Sequence, residues 1–136
     1  MSLAIKKKRE LIFQLLYSSS FTNMLKDDLV NLLMKENKIS KKNIFESFSY
    51  VEKICDKLEF LDKQILSISK SYELERISKA ELSIIRLAIY EIKFDENIPC
   101  KVSIAEAIRL TKKYANNNSV SFVNAIIDAF FKNENL

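Results

Sequence analysis

The stretch Ser78-Lys79-Ala80-Glu81-Leu82-Ser83-Ile84-Ile85-Arg86-Leu87-Ala88-Ile89-Tyr90-Glu91-Ile92-Lys93-Phe94 decides the fold. Its first four residues have the form of a capping box. The Ser hydroxyl accepts the backbone N–H three residues on, and the Glu there reaches back to the Ser N–H. Behind that start signal Leu82, Ile84, Ile85, Leu87, Ala88, Ile89 and Ile92 leave almost no polar side. A helix apolar nearly all round belongs at the centre of a protein. Asp95-Glu96-Asn97 and Pro99 then end the pattern, because Pro fixes φ and has no N–H to give a helix interior.

Working outward toward the C-terminus, Ser103-Ile104-Ala105-Glu106 reads as a second capping box opening a helix that ends near Tyr114. Asn116-Asn117-Asn118-Ser119 reads as a loop, with Asn118 or Ser119 capping the last helix. That helix carries apolar pairs at Phe122/Val123, Ile126/Ile127 and Phe130/Phe131, each four residues from the next. Toward the N-terminus, a helix from about Leu3 to Ser18 buries Leu11, Ile12, Leu15 and Leu16. A short helix after Asp27 or Asp28 is expected to bury Leu29, Leu32 and Leu33. A longer one from Ser40 toward Ser69, bent midway, carries Ile44, Phe48, Val51, Cys55, Leu58, Leu61 and Ile65 at helical spacing. The expectation is an all-α chain: two three-helix groups packed as one compact domain over residues 1–136, without a linker.

Composition agrees. The 136 residues are 48% hydrophobic and 29% charged, with no Gly, no His, no Trp and one Pro. Without Gly, the tight hairpin turns that need φ > 0 are strained, so a multi-stranded sheet is disfavoured while helices lose nothing. The same zeros remove much enzymology. No Gly means no phosphate-cradling P-loop and no dinucleotide fingerprint. No His removes the commonest general base, the Ser-His and Cys-His nucleophile pairs and the commonest zinc ligand. Cys55 and Cys100 alone cannot make a tetrahedral zinc site, and they read as buried or half-buried free thiols of a reducing cytosol. No cofactor and no metal are expected. No signal-peptide pattern and no apolar run of membrane-spanning length are found, so a cytoplasmic location is expected. Net charge is +4, from 22 basic and 18 acidic residues, which permits an anionic ligand without requiring one.

Three places carry candidate function. Lys6-Lys7-Lys8-Arg9 wraps most of one helical turn, since successive residues step by 100°. Cations at a helix start oppose the macrodipole at about 0.3–1 kcal/mol each. The turn therefore reads either as an anion-binding element or as a solvated, frayed end. Lys6, Arg9, Phe13 and Tyr17 share one flank, and cations interleaved with aromatics stack unpaired bases. For Phe13 the reading as a core aromatic comes first. Phe122, beside Asn118 and Ser119, sits where the free N–H groups of a helix start can bind a phosphate, or it is a core residue paired with Ile126. Lys112 and Lys113 suit the negative end of the preceding helix. Glu81 is explained by its capping box. Arg86, among Ile84, Ile85 and Leu87, needs an acidic mate elsewhere in the chain or on a partner, because Glu91 is off its face.

These residues carry a family resemblance. Ile84-Ile85-Arg86-Leu87-Ala88-Ile89-Tyr90-Glu91-Ile92 resembles the ILRLAxYEL segment of the NusB transcription antitermination factors. Ile98-Pro99-Cys100-Lys101-Val102-Ser103-Ile104-Ala105-Glu106-Ala107-Ile108 is similar to IPxKVAINEAI. Lys112-Lys113-Tyr114 follows, and then Phe122-Val123-Asn124-Ala125-Ile126-Ile127-Asp128, like FVNGxLD. Arg9-Glu10 with Gln14-Leu15-Leu16-Tyr17 is similar to the family's opening. The resemblance spans the whole chain and is looser over residues 20–75. It implies a helical, non-enzymatic factor that binds the boxA element of ribosomal RNA leaders together with the ribosomal protein NusE, and through that pair engages RNA polymerase.

Position by position, the resemblance implies an RNA face of Lys6, Lys7, Lys8, Arg9, Asn118 and Phe122, with Tyr17 and Lys113 as further candidates, and a NusE contact at Glu81. Lys8 replaces a usual small residue, Ala105 an Asn, and Ala115 and Ala125 two glycines. At Ala115 the helix is expected to end without its favoured left-handed residue, a cost that Asn116 softens. Asn118 stands where the family is often acidic, which favours RNA. The competing readings are an accessory module of a ribosomal RNA methyltransferase, detached from any cofactor-binding domain, and a structural homodimer that buries the basic turn. Monomer and homodimer both remain open.

Overall fold

A computed structural model describes residues 4–19, 28, 31–32, 34–35, 39–69 and 76–134. The regular elements among the described residues are all helices, with no strand. They form α1 (Ile5–Ser18), α2 (Lys41–Cys55), α3 (Leu58–Ile68), α4 (Lys79–Phe94), α5 (Cys100–Tyr114), a 3-10 turn (Asn117–Ser119) and α6 (Val120–Glu134). The chain divides into two compact units, Met1–Cys55 and Asp56–Leu136.

In the first unit α1 packs on α2. Leu11, Ile12, Leu15 and Leu16 are 2–5% exposed, as their spacing requires, and Phe13 joins them at 2%. On α2 the buried residues Ile44, Ser47, Val51 and Ile54 recur every three or four positions, one stripe of a 3.6-residue helix. Cys55, the last residue of α2, is exposed, against the expectation that it lies in the core, while the neighbouring Ile54 is buried. Of the short helix expected after Asp28, residues 28, 31, 32, 34 and 35 are helical, but Leu32 is 42% exposed rather than buried. Leu29 and Leu33 lie outside the described residues.

The bend expected midway between Ser40 and Ser69 is a full break. Asp56 and Lys57 leave the helix, Lys57 at φ −109°, ψ 10°, and a new helix starts at Leu58. That break is also the boundary of the two units, so α3 packs with α4 and α6 in the second.

The second unit is built around α4, which contacts α3, α5 and α6. The start signal forms as read: Ser78 Oγ accepts from the Glu81 N–H at 3.1 Å, and Glu81 Oε1 accepts from the Ser78 N–H at 3.2 Å. Leu82, Ser83, Ile84, Ile85, Leu87, Ala88, Ile89, Tyr90 and Glu91 are all buried, so no side of the helix is left to solvent through these residues. Burying each large aliphatic among them is worth about 1.5–3 kcal/mol. Asp95 stops the helix by accepting the Asn97 N–H at 3.0 Å, a side-chain turn that competes with the helical ladder.

Arg86 finds its mate on α3. Its Nε donates to Asp62 Oδ1 at 2.8 Å and its Nη2 to Asp62 Oδ2 at 2.9 Å. The second capping box does not form. Pro99, at φ −61° and ψ 138°, stands immediately before α5, and the Ser103 N–H already donates to the Pro99 carbonyl at 3.2 Å. Ser103 is therefore inside the helix, its hydroxyl buried without a partner among the described residues, and Glu106 binds Arg109 instead of a cap N–H. Proline is preset for a helix start, and that local constraint outranks the Ser-x-x-Glu pattern four residues later.

Candidate nucleic-acid interface

The first candidate element is the opening turn of α1. Lys6, Lys7 and Lys8 are exposed. The turn has no side-chain cap and no acidic residue, so nothing within it offsets three ammonium groups beside the positive end of the helix dipole. Arg9 departs from the expected basic turn: it is 5% exposed and belongs to the interior. The flank of Lys6, Arg9, Phe13 and Tyr17 is correspondingly not a solvent platform. Phe13 is core, and its ring stacks on that of Tyr17 at 5.7 Å between centroids and 17° between planes. Tyr17 is half-buried and is the one aromatic of this flank that reaches the surface.

The second element lies wholly within the second unit, where α4 and α6 both begin. Arg76 and Ile77 precede the Ser78 cap, Glu81 is in the first turn of α4, and Phe122 is in the first turn of α6. Together with Asn116, Asn118 and Ser119 they line an open cleft of about 350 Å³. Two helix starts at one cleft bring two positive dipole ends to it.

The junction that shapes the cleft holds the 3-10 turn Asn117–Ser119 between α5 and α6, and that turn is capped by Asn116. Asn116, extended at φ −161° and ψ 168°, turns its Oδ1 to accept the Ser119 N–H at 2.9 Å and the Ser119 hydroxyl at 3.2 Å. α5 ends through Ala115 at φ −113° and ψ −105°, so no left-handed residue is used where the usual Gly is missing. Asn116 compensates as a side-chain acceptor, not as a left-handed residue. The turn leaves Asn118 exposed and Phe122 half-buried on the cleft wall.

Glu81 uses Oε1 in its capping bond. A carboxylate has further acceptor sites, so the cap and a ligand contact are compatible. Lys112 and Lys113 are exposed at the end of α5, with the Lys113 ammonium 5.5 Å from the centre of the Tyr114 ring, and neither lines the cleft. Arg76 was not found by reading the sequence. The only local signal is a cation two residues ahead of a helix cap, which has no meaning until the chain folds it against α6.

Among the described residues no cluster of three or more His, Cys, Asp or Glu is placed to hold a metal. No helix among them is long and apolar enough to cross a membrane.

Comparison with known proteins extends these observations. The NusB family model matches residues 6–132. The transcription antitermination protein NusB of Clostridium acetobutylicum is 39% identical over 126 residues, covering 90% of each chain. That of Clostridium perfringens strain SM101 is 41% identical over 131 residues, covering 93% of this chain and 96% of its own. In three dimensions the chain is similar to T. maritima NusB, with TM-score 0.79, 30% identity, and coverage of 97% of this chain and 93% of the other. A chain in a crystal structure of a plectonemic RNA supercoil has the same fold, with TM-score 0.83 at 24% identity over 95% of this chain and 94% of its own. By the extent of the family match and by these relatives, this chain belongs to the NusB family.

Proposed function

We propose that the protein is a transcription antitermination factor that binds boxA-like single-stranded RNA of ribosomal RNA leaders together with NusE, and acts by binding alone. The observation that carries this reading is the family match over nearly the whole chain, joined to relatives named as transcription antitermination proteins that are covered over at least nine-tenths of their own length. That coverage favours a factor of this kind over the accessory module of a methyltransferase.

The chemistry of the two candidate elements supports it. The exposed ammonium groups of Lys6, Lys7 and Lys8 suit phosphates, and counterion release makes such contacts the main source of RNA affinity. Asn118 and Phe122 offer an amide and an aromatic face in the cleft, the groups with which proteins hold unstacked bases. Tyr17 and Lys113 are assigned supporting contacts, and Glu81 a contact to NusE. Residues 1–136 are proposed to act as one RNA-binding module.

Phe122→Ala tests the reading. The ring is half-buried, so the variant is expected to stay folded while losing about 1–3 kcal/mol of affinity for a boxA-like oligonucleotide. A folded variant with unchanged affinity removes Phe122 from the RNA face.

A further inference from the structure

Arg76 is the member of the cleft that neither the cap nor the turn explains. Arg76 is exposed and lines the cleft with Glu81 and Phe122. We propose that this cleft reads a guanine base, with Arg76 on the acceptor edge of the base and Glu81 on its donor edge. The proposal rests on the RNA-binding reading, adds to it a base preference and a residue, and gives Glu81 to the RNA in place of NusE.

The hydrogen-bonding inventory of the cleft leads there. Arginine only donates and an ionised carboxylate only accepts. Glu81 Oε1 takes the Ser78 N–H, and Oε2 keeps its capacity. Asn116 Oδ1 takes the N–H and the hydroxyl of Ser119, so what this side chain has left to offer is its amide N–H₂. The cleft therefore presents the Arg76 fork and the asparagine amides as donors, and the Glu81 carboxylate with the Asn118 amide oxygen as acceptors, beside an aromatic ring. A cationic side chain from a protein would meet Arg76 as a like charge, and an acidic one would meet Glu81. A neutral base with acceptors on one edge and donors on another meets neither penalty.

Among purines, guanine fits. Its adjacent O6 and N7 match the arginine fork, whereas adenine places an amino group beside N7. On its Watson–Crick edge N1–H and the 2-amino group both donate, and Glu81 Oε2, with two lone pairs, is placed to accept from them. Phe122 supplies a ring for stacking, and the buried Ile77 an apolar wall. The two helix starts place positive dipole ends beside the carbonyl.

The test uses the full chain and short fluorescent oligouridines carrying one guanine or, at the same position, one adenine. The expected result is about tenfold tighter binding of the guanine strand, the size of one good bidentate contact. That ratio falls to near one in Arg76→Gln and in Glu81→Gln. Gln serves the capping box as Glu does, so Glu81→Gln keeps the melting temperature and reports on recognition.

Equal binding of both strands by the unaltered protein overturns the guanine assignment and leaves RNA binding standing. A guanine preference that survives both substitutions also overturns it, since the base is then read elsewhere. So does loss of NusE affinity in the two variants with the base preference intact, because the cleft then takes protein. No binding of any strand at low salt overturns the RNA reading, and this proposal with it.

Discussion

Arg86 and Asp62 form a two-pronged ion pair, Nε to Oδ1 at 2.8 Å and Nη2 to Oδ2 at 2.9 Å, with the side chains 15% and 24% exposed. It ties α3 to the central helix of the second unit. Both carboxylate oxygens and the planar fork are used at once, which is the geometry in which such pairs are strongest. Asp62→Ala leaves a largely desolvated guanidinium without its anion. A loss of about 1.5–3 kcal/mol is expected in urea unfolding. A double-mutant cycle with Arg86→Met is expected to recover part of it, because the unpaired charge is then gone. Additive losses would mean that the pair is not coupled.

The opening turn of α1 separates binding from folding. Lys6, Lys7 and Lys8 are exposed while Arg9 is buried. Replacing the three lysines with Ala is expected to weaken RNA binding and lower the slope of log K against log salt by about 2, at about 0.7 per phosphate contact for single strands. The melting temperature is expected to hold or rise, since cations at a helix start are unfavourable. Arg9→Ala is expected to lower the melting temperature instead. An unchanged salt slope in the triple variant would remove the turn from the RNA face.

The turn before α6 depends on one acceptor. Asn116→Ala removes the Oδ1 that holds the Ser119 N–H, and costs about 1 kcal/mol, the usual worth of such a cap. Asn116→Asp keeps the acceptor and is expected to keep the stability, while its negative charge in the cleft weakens RNA binding. Chemical denaturation and RNA titration of the two variants distinguish these effects.

Tyr90 makes stability fall in alkali. Burial, together with the negative charges of Asp95 and Asp56, raises its phenol above the ordinary 10.0. In the unfolded chain the phenol ionises near 10.0, while the native protein holds its proton to higher pH. This group's contribution is therefore complete below pH 10, declines above it and is lost once pH passes the raised native value. Tyr90→Phe is expected to flatten that part of the stability profile, measured by denaturant unfolding between pH 8 and 11.

What the sequence discloses here is set by how local each determinant is. The Ser78–Glu81 box spans four residues and depends on nothing distant, and it forms as read. The Ser103–Glu106 pattern is locally as good, yet Pro99 fixes the helix start one turn earlier. Cys55 is exposed because the break at Asp56 ends its helix there, and no spacing rule marks that end. The same break hands α3 to the second unit, which no spacing rule announces. Among candidate site residues, Lys6, Lys7, Lys8 and Phe122 are legible as charged or aromatic groups at helix starts, and Asn118 as an amide in the turn before one. The burial of Arg9, the bond of Arg86 to Asp62 and the cleft position of Arg76 arise only from tertiary packing.

The central claim is that this chain binds boxA-like RNA jointly with NusE, and fluorescence anisotropy of a labelled boxA-like RNA tests it most directly. The RNA is titrated with the protein alone, with NusE alone and with both. The expected result is tighter binding with both than with either, a positive coupling free energy between the protein and NusE on the RNA. No binding in any arm at low salt, or binding by the protein that NusE leaves unchanged, would contradict it.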